Sequence, residues 1–289
     1  MTTDSGTRIR EVRAEDITAA VADLCQKATH ELPEDVLAGL KRAEQTEKSP
    51  LGKQVLIEIL ENADYAKREL VPLCQDTGTT VVLVEIGQDV HIVGGALQDA
   101  INAGISKGYT EGYLRASMVD HPFSTRVNTK DNTPGVIHTE IVAGDRFRIT
   151  VVPKGGGCEN MTRFQIMLPS RGKEGITEFV LRTIEESGGN PCPPLIVGVG
   201  VGGSSEYAMY LAKKGITRPV GVPSADPETA EFERELLAKV NALGVGPQAV
   251  GGSNTAMAVN IETYPTHITS LPVGVNLQCH SARSKSADL

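Results

Sequence analysis

Apolar residues fall on one helical face over residues 17–28, and segment 32–47 opens its first turn with Pro33-Glu34-Asp35. A third helical stretch follows over 51–69, so roughly the first seventy residues predict a helical lead-in. From Thr79 the pattern shortens to β-like runs over 80–86, 135–142, 147–152, 165–168 and 195–201, with helical stretches over 94–107, 176–187 and 206–214 between them. The opening Pro227-Glu228-Thr229, followed by a run rich in Glu, Leu and Ala through 243, predicts one more helix, and 255–261 and 273–277 read as closing strands. The fold class is α/β, mixed α+β: a helical N-terminal segment of about 1–70, then a mixed β-sheet core with helices over about 71–289. No internal repeat, low-complexity linker or domain boundary interrupts it, so a single domain over 1–289 is expected.

At 289 residues and 40% hydrophobic content the chain can bury a full core. No apolar stretch reaches the length of a membrane span and no N-terminal apolar leader is visible, so a cytoplasmic protein without membrane contact is expected. A net charge of −8 with scattered Lys and Arg argues against a nucleic-acid surface. Any anionic substrate must therefore be met by local positive charge. With 4% aromatics, no Trp and 30 glycines, the composition favours sites built from loops over aromatic recognition surfaces.

Three of the five cysteines stand in loops at the edges of β-like runs. Cys192 lies in Asn190-Pro191-Cys192-Pro193-Pro194, where the prolines fix φ and remove backbone donors, so the thiol belongs to neither a helix interior nor a sheet interior. Cys74 lies in the polar turn Leu73-Cys74-Gln75-Asp76-Thr77-Gly78-Thr79, and Cys279 follows Val275-Asn276-Leu277-Gln278. A three-thiolate iron–sulfur cluster with one open iron needs three such positions. A zinc finger would place cysteines in close pairs, and no two here are within four residues. An odd cysteine count in a cytoplasmic setting argues against a disulfide framework. Five small buried hydrophobes remain the plain alternative.

Two glycine-rich segments carry further candidate chemistry. Gly198-Val199-Gly200-Val201-Gly202-Gly203 satisfies the dinucleotide spacing after a strand-like run, but its context favours a tight strand-to-helix turn over a nucleotide site. Lys154-Gly155-Gly156-Gly157-Cys158 follows another strand and can present backbone N–H groups to an oxyanion, with Lys154 adding charge.

Taken together, Cys74-Gln75-Asp76-Thr77-Gly78-Thr79, Asp131-Asn132-Thr133-Pro134, Lys154-Gly155-Gly156-Gly157, Glu159-Asn160-Met161, Cys192-Pro193-Pro194, Gly246-Pro247-Gln248 and segment 267–279 resemble the class I, iron–sulfur fumarate hydratases, as their separate α subunit or N-terminal domain. The α subunit of L(+)-tartrate dehydratase is similar and shares the cysteine positions. The run 126–134 with Ile137-His138-Thr139-Glu140 resembles the fumarase branch, whereas Cys158 departs from the serine expected there.

The resemblance implies that Cys74, Cys192 and Cys279 hold a [4Fe-4S] cluster whose open iron acts as a Lewis acid in an oxygen-sensitive hydro-lyase of the tricarboxylic acid cycle. It implies Asp76 for proton transfer, and Gln75, Arg115, Gly156 and His267 for binding a dicarboxylate such as fumarate or malate. Read alone, Asp76 is equally an Asx-turn residue bonding the amides of Thr77 and Gly78, Arg115 a solvated charge and His267 a structural histidine. Single-chain relatives add a catalytic C-terminal domain, so a separate β subunit in an αβ or α2β2 heteromer is expected. Two other classes stay open: a non-catalytic iron–sulfur sensor of oxygen or iron, and a nicotinamide-dependent oxidoreductase built on Gly198–Gly203.

Overall fold

The computed structural model describes residues 9–289, and the first eight residues of the expected helical lead-in lie outside the described residues. Strand β1 (Arg10–Arg13) is followed by helices α1 (Ala14–His30), α2 (Glu34–Thr46) and α3 (Pro50–Glu69). Next come β2 (Thr79–Gly87), β3 (Val90–Val93), α4 (Leu97–Glu111), β4 (Val136–Val142) and β5 (Phe147–Lys154). The one-turn helix α5 (Gly156–Glu159) precedes β6 (Arg163–Met167), α6 (Gly172–Ser187), β7 (Leu195–Gly203) and α7 (Ser205–Gly215). The order closes with α8 (Pro227–Ala242), β8 (Ala256–Thr266), β9 (Leu271–Gln278) and β10 (Lys285–Asp288).

The chain is mixed α/β, and its long helices and core strands stand where the apolar periodicity predicts them. The lead-in is not wholly helical, because β1 opens it and pairs in parallel with β3. Four-residue strands such as β1, β3 and β10 are too short to carry a readable alternation. No helix of the described residues is long and apolar enough to cross a membrane.

The chain divides into two compact units. The first holds the residues up to Glu31, Ala66–Lys154 and Arg283–Leu289, and the second holds Leu32–Tyr65 and Gly155–Ala282. In the first unit the strand order is β10-β5-β2-β4, with β2 parallel to β4 and antiparallel to β5. Ile17, Val21 and Leu24 of α1 and Ile101 and Ile105 of α4 share a core with Val82, Val84, Phe147, Ile149 and Val151. That is the burial expected of an amphipathic helix stripe set on one sheet face.

In the second unit the order is β6-β9-β7-β8. One face of this sheet buries Val197, Val199, Val273, Val275 and Leu277 against Ile184 of α6 and Phe232, Leu236 and Val240 of α8. The opposite face is stripped to glycine where α7 crosses it. A Cβ at Gly200 would be driven into the carbonyl of Ala208, and one at Gly198 into that of Ala212. These two glycines of the dinucleotide-like pattern lie inside β7 under a helix, leaving no loop there for a pyrophosphate. Only Gly202 and Gly203, with φ of +98° and +67°, turn the chain into α7.

A buried carboxylate braces the same unit. Glu233 pairs with Arg218 and accepts the backbone N–H groups of Ile261 at 2.7 Å and Ser224 at 2.9 Å.

Candidate functional site

The first unit holds Cys74, Gln75 and Asp76 on the loop before β2 and Arg115 on the segment after α4. Cys74 is partly exposed, Gln75 exposed and Asp76 partly exposed. The Asp76 N–H donates to Cys74 Sγ at 3.4 Å, while Asp76 Oδ1 accepts the N–H of Gly78 at 3.0 Å. The Asx turn expected of this residue is therefore present. Thr77 Oγ1 donates to the carbonyl of Arg115 at 2.5 Å, which brings the exposed Arg115 to the Cys74 loop. Tyr109 donates its hydroxyl to the carbonyl of Thr77 at 2.7 Å, and burial pushes that hydroxyl's pKa up.

Asn132 ties the far side of this loop. It is fully buried with φ of +63°, a left-handed conformation that asparagine tolerates. Its Nδ2 donates to the carbonyl of Gly78 at 3.0 Å and its Oδ1 accepts the N–H of Ser117 at 2.8 Å. Replacing Asn132 by alanine would leave those groups unsatisfied, and a loss of about 2 kcal/mol is expected by thermal or denaturant unfolding. Beside it, burial opposes ionisation of Asp131, but hydrogen bonds from Thr133 outweigh this and hold the carboxyl below its ordinary range.

The second unit gathers Gly156, Cys192 and Cys279 at one end of its sheet. The N–H of His280 donates to the carbonyl of Cys192 at 3.1 Å, joining the two cysteine-bearing loops next to the Ile196↔Gln278 pair of β7 and β9. Cys192 and Cys279 are both partly exposed. Cys192 has φ of +53°, so the residue between the prolines is held in a strained conformation. The expected glycine-rich loop after β5 is a helical turn, α5, and a Cβ at Gly157 would come within 2.9 Å of the Asn190 carbonyl. This turn therefore packs on the loop leading to Cys192, and Gly156 on it is exposed. Glu159 fixes it, accepting from Lys213 at 2.5 Å and from Asn276 at 3.0 Å.

His267 stands apart from these residues. It sits in the exposed turn between β8 and β9, with Nδ1 2.9 Å from Thr269 Oγ1. β8 pairs Ala256 with Leu195 at the Cys192 end of β7 and Thr266 with Gly203 at the other. The intervening strand length is on the order of 25 Å, so within this unit His267 is not brought to the thiols.

The two remaining cysteines are buried. Burial pushes the Cys25 thiol up to about 12, which makes it inert, and Cys158 Sγ donates to the carbonyl of Gly155 at 3.2 Å. Among the described residues no group of three or more His, Cys, Asp or Glu side chains converges as a single metal ion requires. A cluster that binds each thiolate through a separate iron does not need such convergence. The donor chemistry fits one: three partly exposed thiols, with N–H groups aimed at Cys74 Sγ and, from Gln278 Nε2 at 3.8 Å, at Cys279 Sγ.

The sequence pattern did not reveal Tyr109, Lys213 or Arg283 as hydrogen-bonding partners of these segments. Arg283 is 1% exposed, and nothing in a charged residue four positions after Cys279 signals burial.

The family model described as fumarate hydratase (Fumerase) matches residues 18–288. A Methanocaldococcus jannaschii protein named "Putative L(+)-tartrate dehydratase subunit alpha" is 41% identical over 275 residues, covering 92% of this chain and 95% of its own. The L(+)-tartrate dehydratase subunit alpha of Escherichia coli strain K12 is 33% identical over 269 residues, covering 92% and 88% respectively.

Proposed function

Because the chain belongs to the fumarate hydratase (Fumerase) family of hydro-lyases, we propose that it is the α subunit of a [4Fe-4S]-dependent enzyme that reversibly hydrates fumarate to L-malate. The observation that carries this reading is the sorting of the thiols: Cys74, Cys192 and Cys279 are partly exposed on loops, while Cys25 and Cys158 are buried. Those three would hold the cluster. When bound, it supplies an iron without a protein ligand, a Lewis acid for the substrate's hydroxyl and carboxylate oxygens.

The chain's own residues would do the rest. Asp76, whose Oδ1 accepts the Gly78 N–H, would exchange the C3 proton. Arg115 and Gln75 are exposed on the same anchored loop system and bind carboxylate oxygens, Arg115 through its bidentate fork. Gly156 offers backbone from a turn packed on the Cys192 loop. His267 joins the substrate ligands by resemblance. Since its sheet holds it far from Cys192 and Cys279, it would meet the substrate from a neighbouring copy of the chain, which favours α2β2 over αβ. A β subunit in this protein's complex is supported by the relatives being named as alpha subunits.

Dehydration of L(+)-tartrate is the second reading, favoured by the names of those relatives. The test is anaerobic purification of the tagged chain from its native cells, with assays on malate, fumarate and L(+)-tartrate. The proposal expects a second subunit in equal amount and turnover of malate and fumarate. Turnover of tartrate alone establishes the second reading, and full turnover by the isolated chain removes the heteromer. Bound iron with no turnover of any of the three leaves the sensor.

A further inference from the structure

Arg283 is the largest fully buried side chain among the described residues, yet its charge is poorly matched. Its Nη1 donates to the carbonyl of Asp76 at 2.7 Å, its Nε has no hydrogen-bond partner, and among the described residues it forms no ion pair. Sequestering a guanidinium from water costs several kcal/mol unless an anion compensates it. Among the described residues no carboxylate is ion-paired with it: Tyr109 bonds the neighbouring Thr77 carbonyl, and Asp76 Oδ1 accepts the Gly78 N–H.

The residue that Arg283 grips is the one whose N–H points at Cys74 Sγ. Resting on the cluster reading above, we infer that Arg283 is a positioning residue for the cluster: it holds the Asp76 N–H on the Cys74 sulfur and supplies the buried positive charge that an anionic thiolate-bound cluster compensates. Hydrogen bonds to ligand sulfurs and nearby fixed charge are the protein's means of setting a cluster's potential and retention. A cation at this place stabilises the reduced, more negative cluster and so raises its midpoint potential.

The test compares the anaerobically reconstituted full chain with its Arg283→Lys and Arg283→Gln variants. Two quantities are read: the one-electron midpoint potential, followed by electron paramagnetic resonance, and the rate of iron loss to a chelator. Arg283→Gln is expected to lower the potential and to lose iron at least tenfold faster, and Arg283→Lys, which keeps the charge, to restore most of both. Equal potentials in all three proteins, with only thermal stability falling, would mean that Arg283 is a structural brace and would overturn the inference. Should Arg283→Gln fail to fold, the lysine variant decides: a potential within error of wild type supports the charge role, and one lowered despite the retained charge overturns it. Absence of iron from the wild type itself would overturn the cluster reading and this inference together.

Discussion

Replacing Glu47 by alanine is expected to destabilise the second unit by about 3–5 kcal/mol, enough to abolish folding in a marginal domain. Glu47 lies in the turn between α2 and α3 and is 9% exposed. Its carboxylate accepts the backbone N–H groups of Lys48 at 2.8 Å, Ser49 at 2.9 Å, Ser253 at 2.8 Å and Asn254 at 3.0 Å, and the Asn254 side chain at 3.0 Å. No alanine can satisfy those donors, and Gly252 packs so closely on the carboxylate that a larger residue there has no room. Burial alone would raise the Glu47 pKa, but the hydrogen bonds from Ser49, Ser253 and Asn254 outweigh it and hold the group at about 2, below its ordinary 4.5. A carboxyl whose pKa is depressed on folding stabilises the fold fully above the unfolded value and loses that contribution as pH falls through the folded one. The wild type should therefore lose roughly 3 kcal/mol between about pH 4.5 and 2 from this group, in denaturant titrations repeated across that window. A Glu47→Gln variant should be less stable at neutral pH and flatter below pH 4.5. Equal acid sensitivity in both proteins would assign the loss elsewhere.

Gly200→Ala is expected to be as severe, at about 3 kcal/mol or more. The added methyl meets the Ala208 carbonyl and the Leu211 Cβ, and a backbone carbonyl in a helix cannot rotate away as a side chain can. Accommodation requires α7 to lift from β7, which breaks the packing that includes Gly274 of β9 and Gly198. Urea unfolding of Gly200→Ala against wild type checks this. A fully stable variant would show that α7 shifts freely and would return the glycine run to consideration as a nucleotide turn; retained stability with gained affinity for a dinucleotide would decide for that alternative.

These two cases mark what the residues disclosed and what they withheld. The loop placement of Cys74, Cys192 and Cys279 was readable because proline, asparagine and glycine around them dictate loops, and all three are partly exposed between elements. The dual reading of Asp76 was also readable, since an aspartate two residues before a glycine is a turn former, and it does bond the Gly78 N–H. Gly200 was ambiguous for a physical reason: a glycine that admits a phosphate and one that admits a helix look the same until the covering element is in place. Glu47 and Arg283 were opaque because charged residues are ordinarily solvated, and only the tertiary fold decides which are drawn inside. The separation of His267 from Cys192 and Cys279 depends on strand register, which the spacing of twelve residues to Cys279 cannot convey.

The most direct measurement is iron and sulfide analysis with a visible spectrum on the anaerobically reconstituted chain, wild type beside Cys74→Ala, Cys192→Ala, Cys279→Ala and Cys158→Ala. About four irons per chain are expected in the wild type and in Cys158→Ala, with loss of the cluster in each of the other three. A wild type that takes up no iron, or a Cys158→Ala variant that loses it while one of the other three keeps it, would contradict the assignment of Cys74, Cys192 and Cys279 as the ligands.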